Sequence, residues 1–206
     1  MRNVTIVAGV LAQMAAWYFV RWRGLSVWRV TPPILAAVGS LAVLVAGPAV
    51  PKVGDARALA AGAGSGVALY LGTRLFVIVA GRSFGGSVAR VYGEASEVSL
   101  VTAVALAAFV TASGEELFWR GLVQPELAQA TMGAGGAAVV AWAAFIAVGL
   151  VSRSAPVVAA AVVGGAVWAA LGWWSGGVLA SLTSHILWTA MMVALPPRAS
   201  RPVNGP

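Results

Sequence analysis

Long apolar runs from which charge is excluded organise this chain. A membrane helix needs roughly 17 to 25 apolar residues to cross about 30 Å of hydrocarbon. Seven runs meet that length, at residues 4–20, 34–50, 58–81, 98–119, 133–151, 155–174 and 176–195. Pro48 near the end of the second and Arg74 inside the third weaken those two, so the count ranges from six to eight. Only 9% of the 206 residues are charged and 60% are hydrophobic, against about 25% charge in an ordinary soluble domain. The expected fold is all-α, a polytopic transmembrane helical bundle of about seven spans, with one membrane-embedded domain over 1–195. Residues 82–97 read as a loop with a short interfacial helix, and 196–206 as a polar, Pro-rich tail.

The first run ends in Trp17-Tyr18-Phe19-Val20-Arg21-Trp22-Arg23 with no small-x-small cleavage site. It is therefore expected to stay as an anchor, its rings at headgroup depth and its arginines in water. The net charge of +7 would suggest nucleic acid in a soluble protein. Here Arg21, Arg23, Arg29, Arg82, Arg90, Arg198 and Arg201 flank apolar runs, so the lipid bilayer is the expected partner and nucleic acid is not. With seven spans and the tail inside, those seven and Arg153 face the cytoplasm, against Arg2, Lys52, Arg57 and Arg120 outside. The excess of inward positive charge predicts an N-out, C-in protein of the plasma membrane.

Small residues recur four apart, as in Gly62 with Gly66, Ala160 with Gly164 and Gly172 with Gly176. Such pairs let helix backbones approach closely where lipid provides no hydrophobic drive. The run Gly62-Ala63-Gly64-Ser65-Gly66 has no Walker lysine and no preceding strand, so it does not read as a phosphate loop. The absence of cysteine removes disulfides, thiolate nucleophiles and Cys-ligated metals.

Against this background Glu115, Glu116 and Arg120 stand out. An acid at membrane depth costs at least about 2.5 to 3.5 kcal/mol and is a functional hypothesis by default. Arg120 lies one helical turn after Glu116, the favourable order for an ion pair, while Glu115 is turned about 100° away and left unpaired. A carboxylate held by a cation stays ionised, whereas one desolvated without a partner becomes basic enough for general-base work. Glu115 is thus the better candidate base. The competing reading places all three residues in interfacial water at the end of the fourth span.

His185, the single histidine, sits in the last run with Ser181 and Thr189 one turn to either side, on one helix face. It reads equally as a hydrogen-bonded packing residue. Catalytic zinc wants about three protein ligands, and the available metal candidates are Glu115, Glu116 and His185 alone. No G-x-S-x-G elbow supports a serine hydrolase. Arg74 is expected to snorkel or to pair across the bundle, with one of the two glutamates as a candidate partner.

The string Glu115-Glu116-Leu117-Phe118-Trp119-Arg120-Gly121 resembles the E-E-x-x-x-R signature of the CPBP family, the CAAX-protease and bacteriocin-processing membrane proteins that include type II CAAX prenyl endopeptidases. The resemblance covers about 98–195. It implies an intramembrane endopeptidase in which Glu115 activates water, Arg120 orients Glu116, and His185 stabilises the oxyanion of the scissile carbonyl. It also allows a divalent metal, which one histidine and no cysteine support poorly. Two positions depart from the family pattern. Phe145 begins the F-x-x-x-H motif but Gly149 stands at its histidine, and Thr189 stands where the H-x-x-x-N or H-x-x-x-D motif has its last residue. The resemblance therefore implies either a weak or altered protease acting on a membrane-tethered peptide, or a non-catalytic relative that binds or stabilises another membrane protein. A transporter lined by the buried acids is a third reading. Whether Glu115 and His185 share a cavity, with the fourth helix running past Arg120 toward a stop at Gly121 and Pro125, discriminates among these.

Overall fold

A computed structural model describes residues 1–47, 54–95 and 97–197. The tail from 198 on, Lys52 and Pro48 lie outside the described residues, as do the side chains of Arg82 and Arg90. The described chain forms seven helices: α1 Arg2–Arg23, α2 Val27–Ala46, α3 Asp55–Ala95, α4 over 100–132, α5 Gly133–Leu150, α6 Ala155–Ser175 and α7 Leu179–Ala194. Six are long and apolar enough to cross a membrane, and α7 is a shorter apolar helix of 16 residues. Large apolar side chains such as Leu44 and Val101, 78% and 80% exposed, point outward. Lipid is their natural environment, and the chain is an integral membrane protein.

Local chemistry sets the helix ends. Gly24, at φ 63°, takes the left-handed conformation that closes α1, and the three-residue link to α2 makes the first two helices an antiparallel hairpin. Gly176, at φ 70°, closes α6 in the same way. The expected loop at 82–97 is not observed, because α3 continues as one helix of 41 residues. At about 1.5 Å per residue it is about 60 Å long, roughly twice the hydrocarbon thickness. A helix leaving the membrane keeps its backbone bonds whatever the polarity of its side chains, so the switch to small and charged residues did not end it.

The stop expected at Gly121 and Pro125 is likewise not used. Helix α4 runs on to 132 as α-helical stretches Leu100–Val104, Ala112–Phe118 and Gln124–Leu127, interrupted by π-helical turns Ala105–Thr111, Trp119–Val123 and Ala128–Met132. In the second π turn the Gln124 N–H bonds to the Trp119 carbonyl five residues back. This widening lies against Pro125, which has no N–H to give, and local π geometry is a known way of re-satisfying backbone freed by proline. The helix ends instead at Gly133, φ 63°.

Small residues set the closest helix approaches. A Cβ on Gly62 would lie 2.5 Å from the Ala180 carbonyl oxygen and one on Gly66 2.8 Å from that of Ser184, so this spaced pair is the seam between α3 and α7. Helices α2 and α4 meet at Gly39 and Gly114, where a Cβ on Gly39 would lie 2.7 Å from Gly114 Cα and one on Gly114 would collide with the Leu35 carbonyl. The core beside this crossing holds Phe118, Trp119, Leu122, Phe145, Val148 and Trp168. Trp119 donates to the buried Gln13 amide of α1 at 3.0 Å, which ties the first helix to the fourth.

Candidate active site

Glu115 and Glu116 lie on the seven-residue α-helical stretch Ala112–Phe118, between two π turns. Such turns inside α-helices recur at functional sites. Glu116 is fully buried, and its Oε1 accepts from Arg120 Nη1 at 3.1 Å, the ion pair expected from the one-turn spacing. The same oxygen lies 2.9 Å from Nδ1 of His185 on α7. The other guanidinium nitrogen, Arg120 Nη2, donates to the Gly165 carbonyl of α6 at 2.9 Å. One turn further on, Gln124 Nε2 donates to the Ala169 carbonyl at 3.2 Å. Arg120 and Gln124 thus form two rungs between α4 and α6. Gly172 makes room for them, since a Cβ there would lie 3.0 Å from Arg120 Cγ. Phe145 and Trp168 present their faces to the guanidinium at 5.2 and 6.0 Å.

Glu115 is placed differently. Its side chain is 15% exposed and makes no hydrogen bond among the described residues. It is not isolated, however, because its Oε2 lies 3.8 Å from His185 Nε2. The imidazole therefore stands between the two acids, one nitrogen to each. Trp168 stacks on the imidazole with centroids 3.5 Å apart and planes 15° apart, and fixes the ring plane that the Glu116 contact alone leaves free to tilt. Nothing in the sequence marks Trp168, Gln13 or Gln124 for this site. Each reads locally as an ordinary residue of an apolar helix, and its role arises only when another helix is alongside.

Glu115 and His185 line one cavity of about 530 Å³, together with Gly149 and Thr189. Thr189 Oγ1 is buried without a hydrogen-bond partner, and so are Thr31 Oγ1 and Trp168 Nε1 on the same cavity. Gly149 is buried, and a Cβ there would lie 3.2 Å from the Ala161 Cβ. Ser181 shares the helix face with His185, but its hydroxyl turns back to the Val178 carbonyl at 3.0 Å. Arg74 is exposed over the Tyr70 ring at 5.8 Å and pairs with neither glutamate.

The residues that could offer donors to a metal are Glu115, Glu116 and His185. Glu116 Oε1 is taken by Arg120 and by His185 Nδ1, which leaves Glu116 Oε2, the Glu115 carboxylate and His185 Nε2 outside those contacts. Among the described residues no set of three or more His, Cys, Asp or Glu is arranged to hold a metal ion. The charge balance matters more. Glu115, Glu116 and Arg120 sum to one negative charge, which a single proton on Glu115 or His185 neutralises. In a water-poor bundle that proton has two addresses 3.8 Å apart.

No curated protein and no solved structure matches the chain. Residues 97–191, helices α4 to most of α7, match the family described as type II CAAX prenyl endopeptidase Rce1-like. The segment that brings Glu115, Glu116, Arg120 and His185 together is the segment matched, and through it this integral membrane protein is related to the CAAX-protease family.

Proposed function

We propose that the protein is an intramembrane endopeptidase of the CAAX-protease type, with Glu115 as general base. The observation that carries this reading is the shared cavity of Glu115 and His185, in which an ordered triad of Arg120, Glu116 and His185 faces an acid left free of hydrogen bonds. Glu115 takes a proton from water as the water oxygen attacks the scissile carbonyl carbon. Glu116, paired with Arg120, accepts from Nδ1–H of His185, and with the cluster's one extra proton on the ring the imidazole is cationic and its Nε2–H points into the cavity. Nε2–H and the unpartnered Thr189 hydroxyl then donate to the oxyanion as it forms. The C–N bond breaks, and Glu115 returns its proton to the leaving nitrogen. Trp168 holds the imidazole in the plane these contacts require and is a positioning residue.

The substrate in this reading is a membrane-tethered peptide, the membrane is the plasma membrane, and the N-out, C-in orientation places the cavity's arginine-flanked end in the cytoplasm. The test is Glu115→Gln, which keeps shape and removes the base. Cleavage should fall by about 10² to 10⁴-fold, and uncleaved substrate should accumulate in a proteomic comparison of membranes from wild type and variant. If nothing accumulates, catalysis is refuted. A non-catalytic relative that stabilises another membrane protein then becomes the better reading. Gly149, standing at the family's histidine position, favours that second reading, and co-purification of a stable partner insensitive to Glu115→Gln would establish it.

A further inference from the structure

The cavity has a second end that the chemistry above does not use. Arg21, in the last turn of α1, and Arg153, in the link between α5 and α6, both line it. The two guanidinium groups converge on one indole, with Arg153 4.7 Å and Arg21 5.5 Å from the Trp22 ring. Neither forms an ion pair among the described residues. Glu97, a carboxylate at this end of the bundle, accepts from Ser26 at 2.6 Å and lines a separate hollow with Arg29. Two like charges gathered at one ring, without a counter-ion among the described residues, leave a place for an anion.

The backbone holds this arrangement at a cost. Arg153 is the only described non-glycine residue with positive φ, at 49°, a conformation that L side chains adopt rarely. Successive bonds from Val151, Ser152 and Arg153 to Val148, Gly149 and Leu150 force the turn, and the Ser154 N–H caps it on Ser152 Oγ at 3.1 Å. Glycine would fit with less strain, so an arginine here supplies something a glycine cannot.

Depth identifies the anion. Arg21 ends one apolar span and Arg153 follows the end of another, so both lie at the interface where lipid phosphates are concentrated. From there the cavity runs inward between apolar walls, Val20, Val27 and Val148 among them, to Glu115. We propose that this end is a binding site for an anionic phospholipid, its phosphate between Arg21 and Arg153 and its acyl portion in the cavity. A lipid so placed occupies the path from the headgroup layer to Glu115. Its presence is independent of whether Glu115 catalyses anything.

The test uses the full chain in nanodiscs of mixed phosphatidylglycerol and phosphatidylcholine, with the lipid retained after extraction measured by mass spectrometry. Each interfacial arginine favours an anionic lipid by about fivefold, so the pair should enrich phosphatidylglycerol by roughly 25-fold over the bulk ratio. Arg21→Gln with Arg153→Gly should abolish the enrichment, while Arg23→Gln with Arg29→Gln, the same change in net charge at neighbouring residues that do not line the cavity, should keep it. Arg153→Gly relieves the positive φ, so an unchanged or higher melting midpoint separates lost binding from lost folding. Equal retention in both double variants overturns the proposal. So does displacement of the lipid by millimolar inorganic phosphate, which assigns the site to a free anion. Preferential capture of a peptide with a free C-terminus, blocked by the same two substitutions, assigns it to a peptide and also overturns the lipid.

Discussion

Arg120→Met separates the two glutamates by their effect on stability. Arg120 is 3% exposed and satisfies Glu116 at 3.1 Å and the Gly165 carbonyl at 2.9 Å. Methionine refills much of its volume against Phe145 and Trp168 but leaves Glu116 as a buried charge without its counter-ion. Breaking a buried pair from one side costs about 3–5 kcal/mol. Removing both charges together, as Glu116→Leu with Arg120→Met, leaves neither orphaned and should fall within about 1 kcal/mol of wild type, well below the sum of the two single changes. Glu115→Gln should behave in the opposite sense to Arg120→Met, since it takes one acid from a cluster with an excess negative charge and breaks no hydrogen bond. It is expected within about 0.5 kcal/mol of wild type or more stable. Reversible unfolding in mixed micelles measures these proteins together with Glu116→Leu alone, which completes the cycle. A cost below about 1 kcal/mol for Arg120→Met, or additive effects of the Glu116 and Arg120 changes, would refute the view of Glu116 and Arg120 as one structural unit.

Two further expectations rest on close contacts. Gly149→His alone sets its Cβ 3.2 Å from Ala161 and should destabilise by about 1–3 kcal/mol. With Ala161→Gly the room returns, and adding Thr189→Asn should raise cleavage of a membrane-tethered peptide by about 10²-fold or more; no gain in a correctly folded triple variant would show that the cavity is not a weakened version of the family's. Gly114→Ala drives a methyl into the Leu35 carbonyl, main chain that cannot turn aside, and should cost about 3 kcal/mol or more and reduce the monodisperse fraction on gel filtration. Gly72→Ala, with nothing within 4 Å, should instead leave folding intact.

The spans were legible because little besides immersion in lipid keeps charge out of a chain over a membrane's width. The helix starts at Gly133 and Ala155 coincide with the starts of apolar runs. The Glu116–Arg120 pair was legible because i,i+4 geometry is local. What lay beyond reach was set by neighbouring helices or by backbone choices with no composition of their own. Pro125 reads as a terminator in isolation, yet a π turn ahead of it carries α4 onward. A shared cavity for Glu115 and His185 could be posed as a question from the sequence, but the imidazole's place between the two acids could not be read there, because 69 or 70 residues of chain separate them. Trp168 carried no signal at all. A tryptophan in an apolar helix is ordinary until an imidazole lies flat against it.

The meeting of Gly39 and Gly114 bears on how this site tolerates mutation. Where main chain rests on main chain, no rotamer separates the two helices, and no exchange of side chains elsewhere alters their spacing. Glu115 is the next residue along, so its origin is referenced to α2 through peptide units rather than through packing. The apolar surroundings can change freely in sequence while the carboxylate keeps its place. The two glycines themselves have almost no permitted alternatives.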